Sequence, residues 1–562
     1  MRTPTQSLRR PIVGVQVHDD NIAVSSPYSL KEVAKSVPSG KWDKASGVWR
    51  YPRNAQTAAN IVEVYRETDC EMRFGPDLDE LLTEHRNSMA ERNRLKNADD
   101  LEPIPVTAHP AWRHQLQAYH FAKDLPAAML AMDMGTGKSK VTIDLLTNND
   151  ARRVLILAPP SVVDVWPKEF RKHAGADWTV VALRKGSVKK RTAEAQAAFD
   201  DPSLERVAIV LNYEASHRDP FKTWAKKVSW DYLVLDESHK IKAPTGVTSK
   251  NVHNIAKKVP RRLALTGTPL PQTPLDIFGQ YRALDSDIFG TNYTSFKNRY
   301  AVWGGYGGYQ LLRLRNEPDF NERFYSIAYR VEAEDVLDLP PEMDVSRGCD
   351  LGAAQAKVYD EVDEEFHTWV KDQVGAEQEV TVSNALVRLL RLAQVTGGSI
   401  KDDEGIAHTV GTAKADLLED VLDEIGPDEP VVVFCRFRHD LDVVAAAAEK
   451  CGRAYGEVSG RANDLIDAEL PDIPGLLFGV QMQSGGVGID LTRARYGIYY
   501  SVGYSLSDYL QSRRRIHRPG QQKHTILAHL IASGTIDEEI YEAIESRESV
   551  VEYILKGLGV SR

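Results

Sequence analysis

The stretch Leu130-Ala131-Met132-Asp133-Met134-Gly135-Thr136-Gly137-Lys138-Ser139 runs from an apolar strand end through a glycine turn into a helix expected over residues 138–146. Strand, loop and helix in that order form the setting in which a backbone can hold phosphate. Glycines at 135 and 137 let the chain curl so that the N–H groups from Met134 to Ser139 point inward, and the helix dipole adds favourable charge for an anion. Lys138 is placed to reach β- and γ-phosphates, and Ser139 to put its hydroxyl on a magnesium ion. Met132 stands where the strict G-x-x-x-x-G-K-[ST] pattern has its first glycine. On the loop alone, a glycine-rich turn with no ligand therefore stays open.

A second element about a hundred residues on makes the phosphate reading the better one. Leu233-Val234-Leu235 has the length and composition of a buried parallel strand, and it delivers Asp236 and Glu237 to its carboxyl end. Asp236 can hold Mg²⁺ through its water shell, while Glu237 can orient and deprotonate an attacking water. An isolated Asp-Glu pair is often only a helix cap. Following a phosphate cradle, it points to a magnesium-bound nucleotide and to hydrolysis.

Composition bounds the rest. The 562 residues leave room for three or four domains. The sequence has no run of eighteen apolar residues and no apolar segment near its start, so neither a membrane span nor a secretory signal is expected, and cytoplasmic residence is. Cys70, Cys349, Cys435 and Cys451 have no metal-type spacing and suit a reducing compartment. The net charge of −10 means that any nucleic-acid contact must come from local basic patches.

The expected fold class is α/β. Residues 1–75 read as a small α+β domain, with strands near 12–17, 21–24 and 48–51 and a helix over 29–37; residues 76–106 read as a helical connector ending in a Pro-containing linker. From 107 to 285, apolar strands at 154–157, 207–211, 233–235 and 263–265 alternate with helices, which predicts a first parallel sheet covered on both faces. Residues 286–410 read as a helical insertion, with a flexible glycine hairpin at 304–308 and helices over 354–370 and 383–394. A second alternating block over 411–562 has strands at 431–434, 475–480, 498–501 and 526–531. It closes on a helix whose Ile536, Ile540 and Ile544 share one face. Two such blocks imply a cleft.

These residues together resemble the helicase-like ATPases of superfamily two, and within them the Swi/Snf-type DNA translocases, over roughly residues 107–555. The resemblance implies two RecA-like lobes and double-stranded or forked DNA as the partner. Gln115 in Arg113-His114-Gln115-Leu116 is similar to the family's adenine-reading glutamine. Ala158-Pro159-Pro160-Ser161 and Trp166-Pro167-Lys168-Glu169-Phe170 resemble a motif on the DNA side, with Pro159 and Ser161 as contacts, and Asn212-Tyr213-Glu214 falls at a further strand-end motif. Leu265-Thr266-Gly267-Thr268-Pro269 resembles the motif that couples hydrolysis to movement, with Thr266 and Thr268 also assigned to DNA. Ser484-Gly485-Gly486-Val487-Gly488-Ile489-Asp490 is similar to a second-lobe motif, implying Gly488 and Asp490 at the nucleotide and Ser484 at DNA. Gln511-Ser512-Arg513-Arg514-Arg515-Ile516-His517-Arg518-Pro519-Gly520-Gln521 is specific to the Swi/Snf type and implies Arg515 and Arg518 as arginine fingers. Three apart on a helix, they are expected on one side. His239 and His517 are expected in hydrogen-bond relays, and Arg513 and Arg514 on a solvated or phosphate-binding face.

Residues 29–52, with Lys41-Trp42-Asp43 and Val48-Trp49-Arg50-Tyr51, resemble the HARP domain of annealing helicases. That resemblance implies branched-DNA targeting, with Trp42 or Trp49 stacking on an exposed base. The alternative is that both tryptophans are core. At the level of the whole chain, two other readings stand beside the motor: an ATP-switched clamp that recruits partners to DNA, and the motor subunit of a restriction or anti-phage system.

Overall fold

The computed structural model describes residues 10–267, 269–270, 273–304, 310–375, 382–401, 407–482 and 489–546. They form two compact units, one of Met1–Trp303 with Leu311–Glu332, the other of Gly304–Gln310 with Ala333–Arg562.

The first unit begins with a five-stranded sheet in the order Lys41–Asp43, Val48–Pro52, Asn21–Ser25, Ile12–Val17, Glu71–Phe74, antiparallel except for its last pair. Alternation in the strand Ile12–Val17 sends Val13 and Val15 inward, where they meet Ile61, Val62 and Tyr65 of the helix Ala55–Arg66. Asn54 caps that helix by accepting from Thr57 N at 2.7 Å. Trp49 and Tyr51 are part of the same core, and the Tyr51 hydroxyl donates to Ala34 O at 2.8 Å.

A seven-stranded sheet follows, in the order Ala328–Val331, Ala127–Met132, Arg261–Leu265, Tyr232–Asp236, Arg153–Ala158, Val207–Asn212, Thr179–Leu183, with every pair parallel. Its central strands are almost wholly apolar because helices cover both faces. The carboxyl ends of these strands lie along one edge, and the glycine loop, the Asp-Glu pair and the segments after Leu265 and Ala158 all leave from it. Ligands bind at that edge of open parallel sheets.

The amino-terminal sheet is joined to this core by buried polar contacts. Arg323, with 5% of its surface exposed, donates to Asn60 Oδ1 at 2.6 Å and Ile288 O at 2.8 Å, and pairs with Asp319 and Glu63. Asn60 Nδ2 donates to Asp287 O at 2.7 Å, and Arg299 pairs with Asp319 at 2.8 Å. From the helix Pro76–Leu95 and its end, Arg92 and Lys96 donate to Ser326 O and Tyr325 O at 3.0 and 2.7 Å.

The second unit is built on a six-stranded parallel sheet in the order Glu342–Cys349, Thr525–Ala532, Tyr496–Tyr499, Val431–Cys435, Leu477–Gln481, Tyr455–Val458. Lys414 and Asp537 form a buried ion pair at 2.6 Å, and Asp537 also accepts from Thr396 Oγ1 and Ala532 N. Every polar atom of that pair therefore has a use, which is what makes a buried ion pair tolerable. Ile536, Ile540 and Ile544 of the closing helix Ile536–Glu545 are all buried.

Residues 286–410 are more than a helical insertion. They contain the helices Ala353–Gly375 and Val382–Thr396, but Ala328–Val331 adds an edge strand to the first large sheet and Glu342–Cys349 one to the second. Of the glycine turn, residues 305–308 lie outside the described residues, between strands Ala301–Gly304 and Gln310–Leu314 that form a two-stranded sheet. Among the described residues, no helix is long and apolar enough to cross a membrane.

Candidate nucleotide-binding and hydrolysis site

The strand Ala127–Met132 ends at Met132, and the helix Lys138–Asn148 begins six residues later. Gly135 and Gly137 take φ of 82° and 92°, the left-handed region that a side chain resists. Gly137 has a second constraint: a Cβ there would stand 2.3 Å from Gln115 Nε2. The Gln115 carboxamide thus lies directly across the loop, with Nε2 donating to Thr136 O at 3.1 Å and Oε1 accepting from Trp112 N at 3.1 Å. His114 Nε2 meets the same Thr136 carbonyl at 2.8 Å, and Thr136 Oγ1 donates to Asp133 O at 2.7 Å. Lys138 Nζ donates to Met132 O and Asp133 O at 2.8 and 3.1 Å. Burial lowers the Lys138 ammonium from its ordinary value, and the nearby Glu237 and Asp236 carboxylates work the other way.

The strand Tyr232–Asp236 places Asp236 and Glu237 at its end, both buried. Glu237 has φ 49° and ψ 57°, a left-handed conformation that costs a non-glycine residue on the order of 1 kcal/mol and that clusters at functional sites. Asp236 Oδ2 accepts from Trp166 Nε1 at 3.0 Å, and Asp236 O accepts from the Tyr213 hydroxyl at 2.8 Å. Burial, reinforced by the adjacent Glu237 charge, pushes the Asp236 carboxyl up to about 7. Burial acts on Glu237 in the same direction, but its contact with His239 and the Lys138 charge outweigh it and hold that carboxyl below its ordinary value. Glu237 Oε2 lies 3.3 Å from His239 Nδ1. Ser238 donates to Gln280 Oε1 at 2.6 Å, and Gln280 Nε2 donates to Pro269 O at 2.7 Å, which ties the acidic segment to the one after Leu265. The helix Ile277–Leu284 comes so close that a Cβ on Gly279 would lie 2.2 Å from Ile241 O.

In the second unit, the helix Leu506–Ile516 stops before Arg518. Same-side projection by helical spacing therefore does not hold; Arg515 and Arg518 are instead both drawn to the segment 489–491. Arg515 O accepts from Leu491 N at 3.0 Å, and Arg518 Nη1 donates to Ile489 O at 3.3 Å. Arg518 Nε lies 3.8 Å from Asp490 Oδ2, and Asp490 Oδ1 accepts from Thr492 N and Oγ1 at 2.9 and 2.6 Å. Arg515 is 3% exposed, its Nε and Nη1 have no hydrogen-bond partner among the described residues, and burial lowers the guanidinium to about 10. A buried charge short of partners is costly, which singles Arg515 out as a candidate functional residue. Arg513 is committed elsewhere: it pairs with Glu342 and Asp344 at 2.7 and 2.9 Å and donates to the Tyr509 hydroxyl. His517 Nε2 meets Pro340 O at 2.7 Å, as a satisfied structural histidine does.

Several expected DNA contacts require correction. Pro159 and Thr266 are buried at the ends of interior strands, so neither presents a surface to a duplex, whereas Ser161 is partly exposed. Trp49 is 8% exposed within the small sheet's core, while Trp42 is 51% exposed with its ring centroid 5.5 Å from that of Trp49. Only Trp42 can offer a free face. Thr268, Ser484 and Gly488 lie outside the described residues. The grip of Trp166, Tyr213 and Gln280 on the acidic segment was missed from sequence. The available signal was that an indole N–H or a phenol in an apolar stretch must find a polar partner.

Comparison with known proteins gives two family matches. The SNF2-related domain matches residues 60–397, and the Helicase conserved C-terminal domain matches residues 413–520. The chain is 25% identical over 451 residues to the Chromodomain-helicase-DNA-binding protein 1-like of Mus musculus, covering 76% of this chain and 48% of that protein. It is 22% identical over 450 residues to the ISWI chromatin-remodeling complex ATPase ISW1 of Saccharomyces cerevisiae, covering 75% and 38%. The chain thus spans about half or less of the length of these curated relatives. Among solved structures, the Sulfolobus solfataricus SWI2/SNF2 ATPase core in complex with dsDNA is 22% identical, covers 81% of this chain and 95% of its own, and gives a TM-score of 0.38.

Proposed function

The chain belongs to the SNF2-related domain family, and from that premise we propose that it is an ATP-driven motor that tracks along duplex or forked DNA. The observation that carries this reading is the convergence of Lys138, Asp236 and Glu237 at one sheet edge, with the left-handed Glu237 held in place at a backbone cost. Backbone N–H groups from Met134 to Ser139 and the Lys138 ammonium bind the phosphates, and Gln115 reads the adenine. Asp236 and the Ser139 hydroxyl are a hard-oxygen donor set that fits Mg²⁺. A Mg²⁺ ion held by them would supply positive charge to offset that of the phosphates. Glu237, kept ionised by His239 and Lys138, accepts the proton of the attacking water. Trp166 holds Asp236 by its Oδ2 and so fixes the direction in which Oδ1 points.

Arg515 and Arg518 serve as the arginine fingers that stabilise charge developing on the γ-phosphate, with Asp490 orienting Arg518. DNA is the track, and Ser161 is the described residue among the assigned motor contacts with surface to offer. Residues 1–75 serve as a DNA-targeting module through the exposed Lys41, Trp42 and Lys44.

Hydrolysis rates compared across forked, duplex and single-stranded DNA and RNA test this reading. Duplex or forked DNA is expected to stimulate the rate. Lys138→Ala should lose ATP binding, and Glu237→Gln should bind ATP and stall before hydrolysis. Equal loss of ATP affinity in both variants would remove the general-base role from Glu237.

A further inference from the structure

Asp467 and Ala468 take φ of 53° and 70°, the one consecutive pair of non-glycine residues in the left-handed region among the described residues. They are the centre of a two-residue hairpin turn: Glu469 N donates to Ile466 O at 2.8 Å, and Ile466 N to Glu469 O at 3.1 Å. Such a turn asks for positive φ at both central positions, and Asn-Gly is the pair that adopts it cheaply. Aspartate tolerates the first position, but at the second the Cβ of alanine resists it. Backbone kept in this region is held there by its surroundings, and such residues cluster where geometry serves function.

The turn grips the segment that carries Asp490. Asp490 N donates to Ala468 O at 2.8 Å and Leu470 N donates to Asp490 O at 3.1 Å, so the peptide groups on both sides of Asp490 are fixed. Leu470 and Leu491 are buried in one core, and Asp472 pairs with Arg493. The start of the loop is anchored as well: Asp464 Oδ2 accepts from Glu457 N at 2.9 Å, Asp464 N donates to Glu457 O at 2.9 Å, and Arg461 pairs with Glu457 and Asp442 at 2.8 and 2.7 Å. Asp490 Oδ1 is engaged by Thr492, which leaves Oδ2 facing Arg518 Nε at 3.8 Å. Beyond Arg518, Gln521 Nε2 donates to Thr492 O and Ala494 O at 3.0 and 3.1 Å, so the chain on the far side of the arginine rests on the same segment.

We propose that the turn at residues 466–469 is a positioning element for Arg518, fixing through Asp490 the place at which the guanidinium waits; this rests on the finger assignment of Arg518. The contacts from the turn to Asp490 are made by backbone atoms, so the side chain at 468 matters through φ alone. A β-branched residue there resists positive φ, displaces the carbonyl that Asp490 N needs and lets Arg518 drift. Ala468 itself touches neither Arg518 nor the phosphate loop.

The test is DNA-stimulated ATP hydrolysis by the full chain, with the maximal rate and the KM for ATP measured separately and a melting temperature taken for each variant. Ala468→Val should lower the maximal rate by about tenfold, a part of the roughly hundredfold loss that a misplacement of about 1 Å can bring. Its KM for ATP should stay within about twofold of the parent's. In an Arg518→Ala background the same substitution should change the rate by less than about twofold, because no finger is left to misplace. Asp467→Asn combined with Ala468→Gly should keep the parent rate and raise the melting temperature. A lower melting temperature for Ala468→Val with an unchanged maximal rate would overturn the proposal and assign the turn to stability alone. So would a tenfold loss that persists in the Arg518→Ala background. Arg518→Ala turning over at the parent rate would instead sink the finger reading, and this proposal with it.

Discussion

Replacing Arg323 by alanine should uncouple the amino-terminal sheet from the first large sheet. The guanidinium donates to Asn60 Oδ1 and Ile288 O and pairs with Asp319 and Glu63, at 5% exposure. After the substitution, Asp319 keeps Arg299 and the Tyr300 hydroxyl, and Glu63 keeps Arg299 at 3.4 Å. Ile288 O and one face of Asn60 lose their donor. Breaking a buried charge pair costs about 3–5 kcal/mol when the remaining charge is stranded. Here both carboxylates retain a partner and Glu63 is partly exposed, so the low end, about 3 kcal/mol, is the expected cost. For a unit of this size that corresponds to a fall of roughly 4–5 °C in the melting temperature, readable by scanning calorimetry of the full chain. Faster cleavage between the two sheets under limited proteolysis should accompany it. A shortened chain beginning at Thr107 removes Asn60 and Glu63 together and should lose comparable stability, so it is a poor probe of DNA targeting by itself. A melting temperature within 1 °C of the parent for Arg323→Ala would refute this reasoning and show that the contacts are geometrically present but energetically idle.

The two tryptophans of the small sheet should separate by experiment: Trp49→Ala should cost about 3–5 kcal/mol as a buried aromatic truncation, seen in denaturant melts, while Trp42→Ala should fold normally and bind forked DNA more weakly. His529 lies within a core of Tyr499, Tyr509 and Tyr541 with Asp344 and Arg513 nearby, and burial pushes its imidazole down to about 4. Because the unfolded chain takes up that proton first, the stabilisation from the neutral ring is complete above about pH 6.5 and is lost as pH falls toward 4, by about 3 kcal/mol over the whole range. His529→Gln should flatten the slope of melting temperature against pH between 6.5 and 5; an unchanged slope would exclude His529 as its source. Arg518→Ala should leave ATP affinity nearly intact and cut the DNA-stimulated rate by about a hundredfold, about 3 kcal/mol of transition-state stabilisation. Arg514→Ala should change it little, and equal rates for Arg518→Ala and the parent would remove the finger assignment.

What could be read from the sequence was what burial on both faces writes plainly. Runs such as Val154-Leu155-Ile156-Leu157 and Val431-Val432-Val433-Phe434 are central strands flanked by strands on each side, and they announced the two sheets without help. The edge strands were invisible for the opposite reason. Glu342–Cys349 has one paired side and mixed exposure along its length, so its residues are polar and read as loop. Ala328–Val331 is only four residues long and follows a helix without a break. The placement of Lys138, Asp236 and Glu237 at one sheet edge was legible because loop and strand ends fix those positions by local geometry. Exposure was not. Nothing local in Pro159, Thr266 or Trp49 tells that neighbouring strands close over them, and helical spacing could not show that the chain leaves the helix at Ile516 before reaching Arg518.

The central claim is that hydrolysis drives movement along DNA, and displacement of a triplex-forming strand from a duplex tests it most directly. With ATP and Mg²⁺, the full chain should displace the third strand at a rate that falls when the triplex is set farther along the duplex, and neither Glu237→Gln nor a non-hydrolysable nucleotide should support displacement. DNA-stimulated hydrolysis without displacement at any distance would contradict the account and leave an ATP-switched clamp in its place.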